Sequence, residues 1–256
     1  MDLNLTSKRV VVVGASRGIG LAIATLFCEE GAEVTLVARG REALDAATAA
    51  LTGRGLRAHA VAADVSVEAG ARAAVAEAVS LMGGLDVLVN NAGGSLGSRR
   101  FDEATGTEWS AVLDLNLMAT VWASQAAVTQ MKQQGGGAIV HVSSICGREY
   151  CTTSPYMTAK AGVIALGKEM AVSLARHNIR VNTVAPGSIL FDGGSWDRRA
   201  QSDPARIEKM KREELPFGRF GTVTEVANAV VFLASSRASW VTGACLTVDG
   251  AQGRAL

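Results

Sequence analysis

Four consecutive valines, Val10 to Val13, constrain the fold of this chain more than any other feature. Successive side chains of a strand point to opposite faces, so a run this apolar needs cover on both sides. A sheet with one wet face would alternate apolar and polar residues instead. Gly14 ends the run, and Ile19, Ala22, Ile23, Leu26 and Phe27 then recur at helical spacing. The same alternation continues along the chain. Further strands are expected at 34–37, 58–62, 87–89, 138–142, 179–184 and 246–248. Helices are expected up to about 51, over 67–81, from about 107 to 133, from about 155 to 176, and along 223–234. This repetition predicts an α/β Rossmann fold. Its sheet is doubly wound and parallel, of about seven strands in the order 3-2-1-4-5-6-7, with helices on both faces.

The 256 residues, 48% of them apolar, suffice for a single domain over 1–256 with a sizeable core. No linker-like stretch or internal repeat divides it. The net charge of +1 argues against nucleic acid or an anionic membrane as a partner. No stretch approaches the roughly 20 apolar residues of a membrane span, and the valine run is too short for a signal sequence. A cytoplasmic protein is therefore expected. Cys28, Cys146, Cys151 and Cys245 show no CxxC spacing and are expected as reduced thiols. His59, His141 and His177 lack ligand spacing, so no metal is expected. Residues from Gly187 to about Pro204 form an irregular insert. It reads as a substrate lid at about 187–215 or as a plain surface excursion.

Gly14-Ala15-Ser16-Arg17-Gly18-Ile19-Gly20 joins the first strand to the first helix. A pyrophosphate needs close backbone approach and the partial positive charge of a helix N-terminus. Glycine permits the turn and the tight packing of helix on strand. A glycine motif alone is weak, but its position between strand and helix strengthens it.

The spacing GxxxGxG resembles the short-chain dehydrogenase/reductase family. So do Asn90-Asn91-Ala92-Gly93 (NNAG), Tyr156-Met157-Thr158-Ala159-Lys160 (YxxxK), Ser144 before them, and Asn116 in the long helix. Pro186-Gly187 after strand six and Val248-Asp249-Gly250 near the end extend the resemblance over nearly the whole chain. It implies a hydride transfer between a nicotinamide cofactor and a ketone or secondary alcohol. It also implies catalytic roles for Asn116, Ser144, Tyr156 and Lys160. The implied cofactor contacts are Gly14, Ser16, Arg17, Gly18, Ile19 and Gly20, with Asp64 and Val65 at the adenine. Asn91, Ala92, Gly93, Tyr156, Lys160, Pro186, Gly187, Ser188 and Ile189 complete them. There are departures. Val13 stands where the family often has threonine, and no threonine follows Gly187 to hold the carboxamide, a role left to Ser188 or to backbone.

Strand two ends at Ala38-Arg39 without the acid that would bind ribose hydroxyls. Arg39 and Arg17 together suit a 2′-phosphate, so NADP(H) is expected over NAD(H). For proton transfer, lowering a tyrosine from about 10 to about 7 needs roughly 4 kcal/mol, and Lys160, one turn from Tyr156, is the expected source. Ser143 competes with Ser144, which is preferred because Gly147 follows at the family's spacing. Tyr150 has Ser154, not lysine, four residues on and is expected only to line the pocket. Phe191, Trp196, Met157 and residues 146–153 read as pocket walls or as lid packing. The nearest resemblance is to 3-oxoacyl-(acyl-carrier-protein) reductases and general alcohol dehydrogenases. The weakly basic 132–137 stretch argues against an acidic carrier partner. Ala161, Gly162, Ala165, Ala171 and Ala175 suit helix contacts of a homotetramer. A non-catalytic dinucleotide sensor on the same fold is the alternative to an enzyme.

Overall fold

The valines of the first strand divide their side chains between two cores. Val10 and Val12 belong to one cluster of buried residues and Val11 and Val13 to the other, all at most 2% exposed. The computed structural model describes residues 2–98, 100–151 and 153–255. Its strands are β1 (Arg9–Val13), β2 (Glu33–Ala38), β3 (Ala58–Ala62), β4 (Val87–Asn90), β5 (Gly137–Val142), β6 (Ile179–Pro186), β7 (Ile189–Leu190), β8 (Gly221–Thr222) and β9 (Cys245–Val248). Among the described residues, seven of them form a wholly parallel sheet in the order β3-β2-β1-β4-β5-β6-β9. β7 and β8 pair separately.

The helices are α1 (Gly18–Glu29), α2 (Arg41–Thr52), α3 (Glu68–Met82), α4 (Gly106–Leu113), α5 (Ala119–Gln133), α6 (Ser154–Leu174), α7 (Ser195–Ser202), α8 (Pro204–Glu214) and α9 (Val223–Ala234). α1, α2 and α9 cover one face through Ile23, Phe27, Leu44, Val226 and Val230. α3, α5 and α6 cover the other through Val75, Ala123, Ala127, Met131 and Met170. Strand order reverses between β1 and β4, which opens a crevice at the carboxyl ends of these strands.

Three expectations need correction. Cys146 and Cys151 are not separate thiols; they are joined by a disulfide, with α-carbons 5.1 Å apart. Cys28 and Cys245 are free. The irregular insert instead contains α7 and α8, which fold over their own small core of Ile207, Met210, Leu215 and Phe220. Finally, the helical stretch Gly106–Gln133 is long and apolar enough to cross a membrane, with mean hydropathy 1.2. Its alanine face packs into the core with α3 and the sheet. The single-turn register break at Asp114–Met118 inside it is π-helical and carries Asn116.

Candidate active site

The sequence-selected residues gather at the carboxyl edge of the sheet. Gly14 follows β1, Arg39 follows β2, and Asp64 and Val65 lie just past β3. Asn91, Ala92 and Gly93 follow β4, Ser144 follows β5, Pro186 ends β6, and Gly187 and Ser188 lead into Ile189 of β7. Tyr156 and Lys160 come from α6.

The turn after β1 is locked by backbone. The Gly14 and Ala15 N–H groups donate to the Val37 carbonyl at 2.7 and 3.1 Å. The Asn91 side chain donates to the Gly14 carbonyl at 2.8 Å. A Cβ on Gly20 would lie 2.1 Å from that same oxygen, so only glycine lets α1 start this close. Arg17 precedes α1 without capping it, and no acid lies in the first turn. The helix therefore presents N–H groups and positive dipole without a side-chain cap, which fits a phosphate. The ring of Phe191 packs on Gly18, where a Cβ would meet it at 2.6 Å. Arg17 donates to the Gly193 carbonyl at 3.3 Å, so the 187–215 segment reaches the phosphate loop. Arg39 is well exposed and 3.7 Å from Asp64. The Asp64 carboxyl is held below the usual carboxylate range, chiefly by the Ser66 hydroxyl and N–H, with a smaller contribution from Arg39.

Around Tyr156 the contacts are made by side chains. Ser144 is the polar side chain that acts on its hydroxyl, while Ser143 donates to the Lys160 carbonyl at 2.8 Å. The two serines are thus separated: one faces the phenol and the other fixes the helix. Lys160 is buried, its Nζ 3.0 Å from the Val142 carbonyl and 5.6 Å from the centre of the Tyr156 ring. Burial pushes the Lys160 ammonium down to about 8. Burial also pushes the Tyr156 phenol above its ordinary value, and Ser144 opposes this. Lys160, expected from the sequence to draw the phenol down, does not set the direction. Desolvation dominates, although the residue remains partly exposed.

Asn116 is fully buried and its amide is spent on backbone. Nδ2 donates to the Gly94 and Val112 carbonyls at 3.0 and 2.9 Å, and Oδ1 accepts from the Gly94 N–H at 3.0 Å. A Cβ on Gly93 would meet Asn116 Oδ1 at 2.6 Å and Lys160 Nζ at 3.0 Å. Gly93 is thus the gap through which Asn116 and Lys160 come together. Ser188 turns toward the C-terminal tail: Gln252 donates to its hydroxyl at 3.0 Å and accepts from its N–H at 2.8 Å.

Of the pocket-wall candidates, Trp196 packs on Phe220, just beyond the 187–215 segment, at 5.4 Å. Tyr150 is exposed. Thr152, within the same candidate wall, lies outside the described residues. The sequence did not single out Gln252 or Glu149. Glu149 accepts the N–H groups of Arg254 and Ala255 at 2.7 and 3.1 Å, tying the tail to the loop after Ser144. No local pattern marks such long-range contacts. The even cysteine count did offer a signal for the disulfide.

A family model described as Enoyl-(Acyl carrier protein) reductase matches residues 14–251. The 3-oxoacyl-[acyl-carrier-protein] reductase FabG of Staphylococcus aureus is 38% identical over 95% of this chain and 97% of its own. The 2-(S)-hydroxypropyl-CoM dehydrogenase 3 of Xanthobacter autotrophicus is 33% identical over 98% of each. The crystal structure of L-sorbose reductase from Gluconobacter frateurii, complexed with NADPH and L-sorbose, superposes with a TM-score of 0.95. It is 36% identical and covers 100% of both chains. Motif, topology and whole-length likeness agree, and the chain belongs to the short-chain dehydrogenase/reductase family of oxidoreductases.

Proposed function

We propose that the protein is an NADP(H)-dependent carbonyl reductase or secondary-alcohol dehydrogenase in which Tyr156 transfers the proton. The observation that carries this reading is buried Lys160, held on the Val142 carbonyl with its Nζ 5.6 Å from the centre of the Tyr156 ring, beside Ser144, which acts on the phenol. Bound NADPH would supply the hydride. Tyr156, held as a neutral phenol by burial, is in the form needed to protonate a developing alkoxide. Ser144 orients the substrate oxygen toward that phenol. Lys160, fixed by Val142, adds positive charge beside it and binds the nicotinamide ribose. Asn116 holds the 93–94 backbone against Lys160.

The dinucleotide is held by the phosphate loop from Gly14 through Ser16, Arg17, Gly18 and Ile19 to Gly20. Asp64, Val65, Asn91, Ala92, Gly93, Pro186, Gly187, Ser188 and Ile189 line the rest of its path. Arg17 and Arg39 receive the 2′-phosphate. The sorbose reductase complex with NADPH supports this preference and a small ketone as substrate. The 187–215 segment serves as lid. The enzyme is cytoplasmic and assembles as a homotetramer. Exposed Ala161, Ala165 and Ala175 remain available for subunit contact, whereas Ala171 is in the subunit's own core and Gly162 packs on Leu117.

Tyr156→Phe should lose at least about two orders of magnitude in kcat while still binding NADPH. Near-normal turnover would refute the proton-donor role. A second reading, 3-oxoacyl thioester reduction, is favoured by the 38% identity to FabG. A panel of 3-oxoacyl thioesters, cyclic ketones, steroids, sugars and quinones, followed by NADPH absorbance, separates the two. Silence across the whole panel would leave a dinucleotide sensor.

A further inference from the structure

The disulfide between Cys146 and Cys151 closes a six-residue ring between Ser144 and Tyr156. Each part of the ring touches the reaction centre. At one end the Cys146 N–H donates to the Ser144 hydroxyl at 3.1 Å. Ser144 is also the side chain that acts on the Tyr156 phenol. In the middle, Gly147 packs on the backbone of α6 at Lys160: a Cβ there would lie 2.6 Å from the Lys160 carbonyl carbon and oxygen. At the other end the Cys151 N–H points at the Met157 sulfur, 3.4 Å away and one residue from Tyr156. Glu149, also in the ring, anchors the C-terminal tail.

We propose that this disulfide is a reversible positioning device for the reaction centre, and that a thiol reductant slows the enzyme by opening it. The inference rests on the reading of Ser144, Tyr156 and Lys160 given above. Both cysteines are partly exposed, so a small dithiol can reach them. The free cysteines are poor competitors. Burial pushes the Cys28 thiol up to about 12 and raises that of Cys245 as well.

In the opening step a thiolate of dithiothreitol attacks one sulfur and the S–S bond breaks. The second thiol of the reagent then resolves the mixed disulfide. Two electrons and two protons end on Cys146 and Cys151, and the reagent leaves as its cyclic disulfide. Closure is the reverse exchange with a glutathione-type disulfide, which leaves as two thiols. Once open, the chain between Ser144 and α6 is free to spread. Nothing covalent then holds the Cys146 N–H against the Ser144 hydroxyl.

The test compares oxidised and dithiothreitol-reduced enzyme, with the two states verified by a 2 Da mass difference. Reduction should lower kcat by about tenfold, the scale expected for slight misplacement of a reacting group. The NADPH dissociation constant should change far less than kcat, because the phosphate loop lies elsewhere. Half-maximal alcohol oxidation should move to higher pH, since Ser144, which holds the phenol down, is no longer fixed in place. Lys160, the charged side chain placed against that phenol, is the same in both states. Glutathione disulfide should restore kcat and the pH profile. The double variant Cys146→Ser/Cys151→Ser should behave as the reduced enzyme and ignore dithiothreitol. Amide exchange at residues 144–151 should quicken on reduction even where no substrate turns over. Turnover absent in both states, with exchange still responding, would sink the catalytic reading but keep the device. Unchanged kcat, pH profile and exchange in fully reduced protein would overturn the inference.

Discussion

The loop after β1 and the loop after β5 frame the same cleft, yet they are held by different parts of the chain. The first is fixed by backbone and one amide: Gly14 and Ala15 on Val37, Gly20 against Gly14, and Asn91 on Gly14. The second is fixed by side chains, namely Ser143 on the Lys160 carbonyl, Lys160 on Val142, a disulfide, and Glu149 on the tail. A backbone-built loop needs particular residues only where a side chain would collide. A side-chain-built loop depends on pairings between residues distant in sequence. The first should therefore fail sharply at its glycines, and the second should respond to pH and redox conditions.

The sharpest break of that contrast is Gly20→Ala. Its Cβ would sit 2.1 Å from the Gly14 oxygen and 2.5 Å from the Asn91 amide nitrogen, so backbone must move. NADPH binding should weaken at least about 100-fold, equivalent to about 2.7 kcal/mol. Gly106→Ala, with no atom within 4 Å of the new carbon, serves as the comparison. Its stability should stay within about 0.5 kcal/mol of the parent. Fluorescence titration and thermal melts of both variants check this; equal behaviour would remove the case for a backbone lock.

A smaller effect is expected from the arginines that the first loop adds to its backbone. The ion pair of Arg39 with Asp64 is exposed and spans 3.7 Å, so it contributes little and leaves the guanidinium available. Arg39→Ala should lower the NADPH/NADH ratio of kcat/KM by about tenfold, the loss of a charge-assisted phosphate contact. Arg17→Ala should harm both cofactors, because Arg17 also holds the Gly193 carbonyl. A ratio unchanged in Arg39→Ala would place the 2′-phosphate elsewhere.

The same division explains what was legible in the sequence. The run Val10–Val13 and the apolar spacing of Ile19, Ile23 and Phe27 encode local periodicity, and strand order followed from it. Gly14, Gly18 and Gly20 are legible because their constraint is steric and local. The fate of Cys146 and Cys151 was misread. Composition and spacing speak for the whole chain, whereas a disulfide depends on where one turn places two β-carbons. The roles of Gln252 and Glu149 were illegible because their partners, Ser188 and the 254–255 backbone, are separated from them by 64 and more than 100 residues. The 187–215 insert looked irregular because α7 and α8 are strongly polar and bury only Ile207 and Met210.

The last prediction tests whether the side-chain-built half is the acid-sensitive one. His141 lies in β5, directly before Val142, Ser143 and Ser144, and is 0% exposed. Asn90 Nδ2 lies 3.1 Å from its Nδ1, and among the described residues its Nε2 has no partner. Burial, with a smaller contribution from Lys160, pushes His141 from 6.5 down to about 3. The unfolded chain therefore binds a proton that the folded chain refuses throughout that window. Stability from this residue is complete above pH 6.5 and falls as pH drops toward 3, by at most about 1.4 kcal/mol per pH unit. Carboxylates held low, such as Glu225 at about 2 under the pull of Arg219, contribute mainly below the upper half of the window. Urea midpoints at pH 7.5, 6 and 5 isolate the histidine. The parent should lose stability across this range, whereas His141→Gln, less stable at pH 7.5, should hold nearly level. Parallel slopes would assign the acid sensitivity to another group, and the pH dependence would no longer separate the two loops.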